Sequence, residues 1–97
     1  MMDFLVEIDV RLPPDFNEAR KDDLIRREAE RAKELAALGV IYRLWRIPGR
    51  WSNVGIWRSE SATELHEVIA SLPLYSWLRV TVTPLAAHPS DPRDLLG

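Results

Sequence analysis

Hydrophobic and polar residues alternate from Phe4 onward: Phe4, Val6, Ile8 and Val10 fall on one face, and Leu5, Glu7, Asp9 and Arg11 on the other. A period of two is the pattern of a half-buried strand. The "PPD" at 13–15 stops it, and Asp15 with Glu18 three residues later reads as a capping box that opens a helix. That helix is predicted from about Asn17 to Leu38, with Gly39 as its C-terminal cap. At about 100° per residue, Leu24, Ile25, Ala32, Leu35 and Leu38 gather into an apolar stripe. Glu28 interrupts the stripe, one turn from both Leu24 and Ala32.

The period returns to that of strands in "VIYRLWRI" (40–47) and "WSNVGIWR" (51–58), joined by the turn chemistry of "PGR". Together they predict a hairpin, with Gly55 as a bulge or a point of close backbone approach. By alternation, Arg46 shares a face with Tyr42 and Leu44, and Arg43 shares one with Ile41, Trp45 and Ile47. "SATE" from Ser61 is a second capping box. It opens a short helix with Leu65, Val68, Ile69 and Leu72 on one side, stopped by Pro73. "YSWLRVTVTPL" (75–85) predicts a last strand, with Leu78, Val80 and Val82 on one face.

The order is therefore β-α-β-β-α-β, the ferredoxin-like split βαβ arrangement of the α+β class: a four-stranded antiparallel sheet with both helices on one face. One domain spans 1–97, with an irregular tail from about 86 to 97. The uncovered sheet face is expected to be apolar enough to pack against a second copy of the chain, so the protein is expected to be a homo-oligomer.

Composition narrows the chemistry. The 97 residues contain no cysteine, which excludes disulfides, thiolate catalysis and Cys-ligated metals, and the two histidines are far apart. A net charge of −2 gives no electrostatic case for nucleic acid. No apolar run is long enough to span a bilayer, and the start, "MMDFLVEIDVRL", does not read as a signal peptide. The expected setting is the cytoplasm. There is no Gly-rich phosphate loop or nucleophile elbow. Four tryptophans in so short a chain point to a pocket or an interface as well as a core.

Several residues stand out as candidates. Burial raises the pKa of a carboxylate such as Glu28 toward the range of a general base or acid; the structural alternative is an ion pair with Arg31 or with a strand arginine. Arg46 on a mostly apolar strand is either an anion-binding fork or a salt-bridge partner of Glu7, Asp9 or Glu28. The Asn53 amide needs partners, so it orients a ligand oxygen or fixes a turn. His66, at the edge of the second helix, reads as a packing residue or a catalyst, and His88 as a tail histidine held by local contacts.

Four segments in register, "VEIDVRLPPD", "LWRIPGRWSN", "ELHEVIASLPLY" and "HPSD", resemble the muconolactone Δ-isomerase family over nearly the whole chain. The resemblance implies a ring-like homodecamer and cofactor-free isomerisation of muconolactone to 3-oxoadipate enol-lactone, in the β-ketoadipate route of aromatic catabolism. The partner is then a small lactone carboxylate, with no nucleic acid, membrane, metal or cofactor. Carried over by position, it implies Glu28 as proton shuttle, Arg46 as partner of the carboxylate or enolate, and Asn53 as a positioning donor. Trp45, Glu7, His66 and His88 complete the implied substrate-binding set. The sequence departs from the family pattern at "VGIWR" after Asn53 and at "SWL" after Tyr75. A protein of the same fold but another class, a cofactor-free oxygenase or a non-catalytic small-molecule binder, is the alternative.

Overall fold

A computed structural model describes residues 1–93. Strand β1 (Met2–Val10) leads into helix α1 (Glu18–Ala37), the hairpin strands β2 (Ile41–Arg46) and β3 (Ser52–Ser59), helix α2 (Ala62–Ala70), a single 3₁₀ turn (Tyr75–Trp77) and strand β4 (Leu78–Leu85). The sheet order is β2-β3-β1-β4 and every neighbouring pair is antiparallel. This is the split βαβ topology that the element order implied.

The β1 alternation holds: Phe4, Val6 and Ile8 are buried beneath the helices. Opposite them on β3, Trp57 pairs with Phe4 and Asn53 with Ile8, so the same face continues across the strands. Leu24 and Leu35 are the buried residues of α1, and Leu65 and Ile69 those of α2, with Leu72 just beyond. A buried aliphatic or aromatic side chain contributes about 1.5–3 kcal/mol, so this single layer accounts for most of what holds a domain of this size together.

Four expectations need correction. The N-cap of α1 is Asn17 rather than Asp15. The Phe16 N–H donates to the Pro13 carbonyl at 3.1 Å, which keeps Asp15 in a turn, and the Asn17 side chain accepts from the Arg20 N–H at 2.9 Å. Leu38 is not part of the buried stripe; the helix has ended at Ala37, and Leu38 is its cap at 73% exposure. Strand β4 starts at Leu78, because 75–77 wind into a 3₁₀ turn first.

On β2 the register shifts between Ile41 and Arg43. Ile41 thus faces buried Trp57 in the core, on the side of Leu44 and Arg46 rather than that of Arg43 and Trp45. The shift coincides with Gly55, where an added Cβ would lie 2.4 Å from the Arg43 carbonyl oxygen. Only glycine admits so close an approach, which is the feature its position in the strand suggested. The uncovered sheet face carries several apolar groups, as expected, among charged ones. Leu5, Val54, Ile56 and Trp45 are interleaved with Asp3, Glu7, Asp9, Arg43, Arg58 and Arg79.

The second capping box is as expected, with Ser61 accepting from the Glu64 N–H at 3.1 Å. Gly39 has the positive φ (79°) of a residue just past a helix end, and Gly49 (82°) turns the hairpin. No described helix is long and apolar enough to cross a membrane. Residues 86–93 lack strand structure, and the last four residues of the expected irregular tail lie outside the described residues.

Candidate active site

Ile8, Asn53 and Arg46 are register partners on three adjacent strands, so the sheet presents them as a row on its helix-facing side. Helix α1 crosses over that row. Where it does so its residues are small or polar, Glu28, Ala29 and Ala32, and the alanines leave space that larger side chains would fill. The result is a cavity of about 270 Å³ lined by Ile8, Val10, Ile25, Glu28, Ala29, Ala32, Arg46, Trp51, Asn53 and Leu74. Ile25, expected in the buried stripe, is 38% exposed and forms one wall. Trp51 belongs to the rim, held where the Val10 N–H donates to its carbonyl at 3.0 Å.

Glu28 is half-buried and does not pair with Arg31, which instead binds Glu34 and the Ser71 hydroxyl. Its one hydrogen bond is from the Leu74 backbone N–H to Oε1, at 3.0 Å. Burial pushes the Glu28 carboxyl above the ordinary carboxylate range, and the Leu74 N–H opposes this less strongly. Among the described residues neither Glu28 nor Arg46 forms an ion pair, so neither is committed to a partner outside the cavity. Asn53 Oδ1 is buried with no hydrogen-bond partner. Buried amides are ordinarily satisfied; the open atom here is an acceptor, so what completes it is a hydrogen-bond donor, while the Nδ2–H end of the same amide is the part that can donate.

The structure thus brings Glu28, Arg46 and Asn53 to one cavity and places the other candidates elsewhere. Trp45 lines a neighbouring depression with Arg46 and Trp51, and its ring lies under the Arg43 guanidinium at 4.7 Å. Glu7, paired with Val54 and Thr81, is on the uncovered face of the sheet. His66 lines a larger groove of about 580 Å³ between α2 and β4, edge-to-face with Tyr75. His88 Nδ1 accepts from the Ser90 N–H at 2.9 Å in the tail. The α2–β4 groove holds an imidazole but no carboxylate, lysine or arginine, whereas the smaller cavity brings a carboxylate and a guanidinium together, the pair suited to proton transfer on an anion. Sequence reasoning did not find the Leu74 N–H, because a backbone donor has no signature of its own. The alanines one residue and one turn beyond Glu28 were the available sign of a cavity.

A sequence model described as muconolactone delta-isomerase matches residues 2–91. The chain belongs to the muconolactone Δ-isomerase family. The muconolactone Δ-isomerase of Rhodococcus opacus is 39% identical to it, over 91% of this chain and 95% of that one. The muconolactone Δ-isomerase of Cupriavidus pinatubonensis is 40% identical, over 93% of this chain and 98% of that one. The fold superposes on a crystal structure of muconolactone isomerase with a TM-score of 0.87, at 34% identity over 93% of this chain and 94% of that chain. Matches of this length place the family's whole fold, rather than a fragment of it, on this chain. They do not favour the alternative of an oxygenase or an inert binding module on the same scaffold.

Proposed function

We propose that this chain isomerises muconolactone to 3-oxoadipate enol-lactone, with Glu28, Arg46 and Asn53 as its working groups and no cofactor. The observation that carries the reading is the convergence of a partly desolvated carboxylate and a guanidinium with no ion pair among the described residues on one cavity, beside the Asn53 amide, in a member of this family. The reaction needs a base for a ring C–H, stabilisation of the charge that develops on the lactone oxygen, and a return of the proton. In the proposed sequence the Glu28 carboxylate removes the proton from the ring carbon that bears the carboxymethyl arm. The C–H electron pair enters the ring and the charge moves to the lactone carbonyl oxygen, to which the Arg46 guanidinium and the Nδ2–H end of the Asn53 amide donate. Protonated Glu28 then gives the proton to the carbon beside the carbonyl, leaving the double bond shifted by one position. The two carbons belong to one small ring, so a single carboxylate serves both.

Desolvation fits this role, because a carboxylate with a raised pKa is a stronger base, and its acid form persists nearer neutral pH to return the proton to carbon. The same proposal includes a homo-oligomer, a decamer by family resemblance, assembled through the uncovered sheet face, and a cytoplasmic setting. The primary experiment is to mix the purified protein with muconolactone and follow the ultraviolet signal of isomerisation. Turnover is expected, and its absence at micromolar enzyme refutes the reading. Light scattering at the same concentration tests the assembly, and a mass equal to one 11.2 kDa chain refutes it.

A further inference from the structure

The cavity contains one guanidinium, but the proposed reaction places two negative charges on the bound molecule: a fixed carboxylate on its arm and a transient one on its ring oxygen. The fold places a second cation, Lys21, against the ring of Trp51, a residue that lines the cavity. Lys21, Ile25, Glu28, Ala29 and Ala32 follow one another at helical spacing along the face of α1 that covers the cavity, and all but Lys21 line it. Lys21 is one turn further toward the helix start, about 10 Å along the axis from Glu28. Its ammonium reaches the cavity wall through Trp51, lying 5.7 Å from the centre of that ring.

Lys21 is half-buried and forms no ion pair among the described residues. Arg26, Arg27 and Arg31 of α1 are ion-paired, with Asp23 and Glu30, with Asp23, and with Glu34; Arg20 is unpaired like Lys21 among the described residues, but it lies over Phe16 and Trp77, which do not line the cavity. A cation kept against an aromatic face beside a cavity, with no acid assigned to it, is available to an incoming anion.

We propose that Lys21 anchors the carboxylate arm of the substrate, leaving Arg46 and Asn53 to the ring oxygen. This rests on the isomerase reading and divides its two charges between two cations. Trp51 holds the ammonium in place while the site is empty, and the arm lies toward the rim with the ring carbons toward Glu28.

The test compares an acid with its neutral ester. Steady-state kinetics are measured for the wild type, Lys21→Gln and Lys21→Arg on muconolactone and on muconolactone methyl ester. In parallel, tryptophan fluorescence titrations give Kd for both compounds in Glu28→Gln, which prevents turnover, with Lys21 retained and with Lys21→Gln added. For Lys21→Gln we expect KM and Kd of the acid to rise roughly 10- to 100-fold, the range of one hydrogen bond to a charged group. We expect kcat to stay within a few-fold, Lys21→Arg to recover most of the affinity, and the ester to be handled equally by wild type and variant. Wild-type turnover combined with an unchanged acid KM in Lys21→Gln, or an equal loss on acid and ester, overturns the anchor and leaves the isomerase reading standing. Absent turnover combined with Lys21-dependent preference for the acid in the titrations does the reverse.

Discussion

Glu28→Gln separates chemistry from structure more cleanly than any other single change in this protein. The substitution keeps the side-chain length and an acceptor oxygen, so the Leu74 N–H retains its partner. It removes the ability to take a proton. General base catalysis contributes about 10²–10⁴-fold, and no other carboxylate lines the cavity to substitute for it. We therefore expect kcat on muconolactone to fall about 10³-fold or more, within that range or beyond it because one group handles the proton twice. The melting temperature should hold or rise, since the buried charge has gone. Glu28→Ala is the structural control. It leaves the Leu74 N–H without its acceptor, at a cost of about 1–3 kcal/mol. Each kcal/mol lowers the melting temperature of a chain this size by roughly 4–8 °C. The reasoning is refuted if Glu28→Gln keeps kcat within tenfold of wild type, or if it melts as low as Glu28→Ala.

The same variant carries a pH signature whose sign follows from the raised carboxyl. A group that holds its proton more tightly folded than unfolded favours the fold fully below its unfolded pKa. That contribution is lost as pH rises through the folded value. The stability of Glu28→Gln relative to wild type should thus grow as pH increases from the unfolded carboxylate pKa through the raised one. Asp9 acts in the opposite sense: the Ser52 hydroxyl, and beyond it Arg50, Arg11 and Arg79, hold its carboxyl below the usual range, so its contribution is lost on acidification. Asp9 is present in both proteins and cancels in the difference, which chemical denaturation at a series of pH values measures directly.

Three further outcomes are expected. Arg46→Gln should lower kcat by roughly 10²–10³-fold, the effect of removing one donor from a developing oxyanion, with partial recovery in Arg46→Lys; a change confined to KM would assign Arg46 to the carboxylate arm instead. Asn53→Leu should reduce kcat/KM yet leave the empty protein as stable or up to about 1 kcal/mol more so, because the buried oxygen it removes has no partner; loss of stability in urea denaturation contradicts this. Gly55→Ala should destabilise by about 1–3 kcal/mol, because the new Cβ meets a backbone oxygen that is fixed in the β2–β3 pairing, and an unchanged urea midpoint would show that the hairpin yields.

The elements that sequence read well are those whose signal is periodic and repeated. The alternation of β1, the caps at Gly39 and Ser61 and the apolar face of α2 each rest on several residues that agree, and the antiparallel order follows from them. What it misread depends on single local contests. Asp15 and Asn17 are both good caps, and the Phe16–Pro13 hydrogen bond decides between them. On β2 a strict period of two put Ile41 beside Arg43. Close passage of the chain over Gly55 breaks that period, and only a three-dimensional pairing reveals it. For the site, Glu28 was visible as a charge in an apolar stripe, and the wrong partner, Arg31, was one turn away in sequence. The actual partner is a backbone amide 46 residues on, which no pattern announces.

The departures from the family pattern can now be placed in the fold. "VGIWR" occupies β3 directly after Asn53, and its helix-facing residues are Gly55 and Trp57, while Val54 and Ile56 face the other way. Trp57 is buried in the core with its indole N–H unpartnered, and neither it nor Gly55 lines the Glu28 cavity. The "SWL" departure lies in the 3₁₀ turn and the start of β4, where Ser76 and Leu78 border the α2–β4 groove. Trp77 stacks edge-on against Phe16, with Arg20 over both rings at the start of α1. Neither departure removes a group from the row of Ile8, Asn53 and Arg46 or from Glu28 above it. The substitutions therefore bear on how the scaffold is packed around the cavity, and under the proposed assignment selectivity would rest instead on Ile25 and Trp51, which line it, and on Lys21 against Trp51.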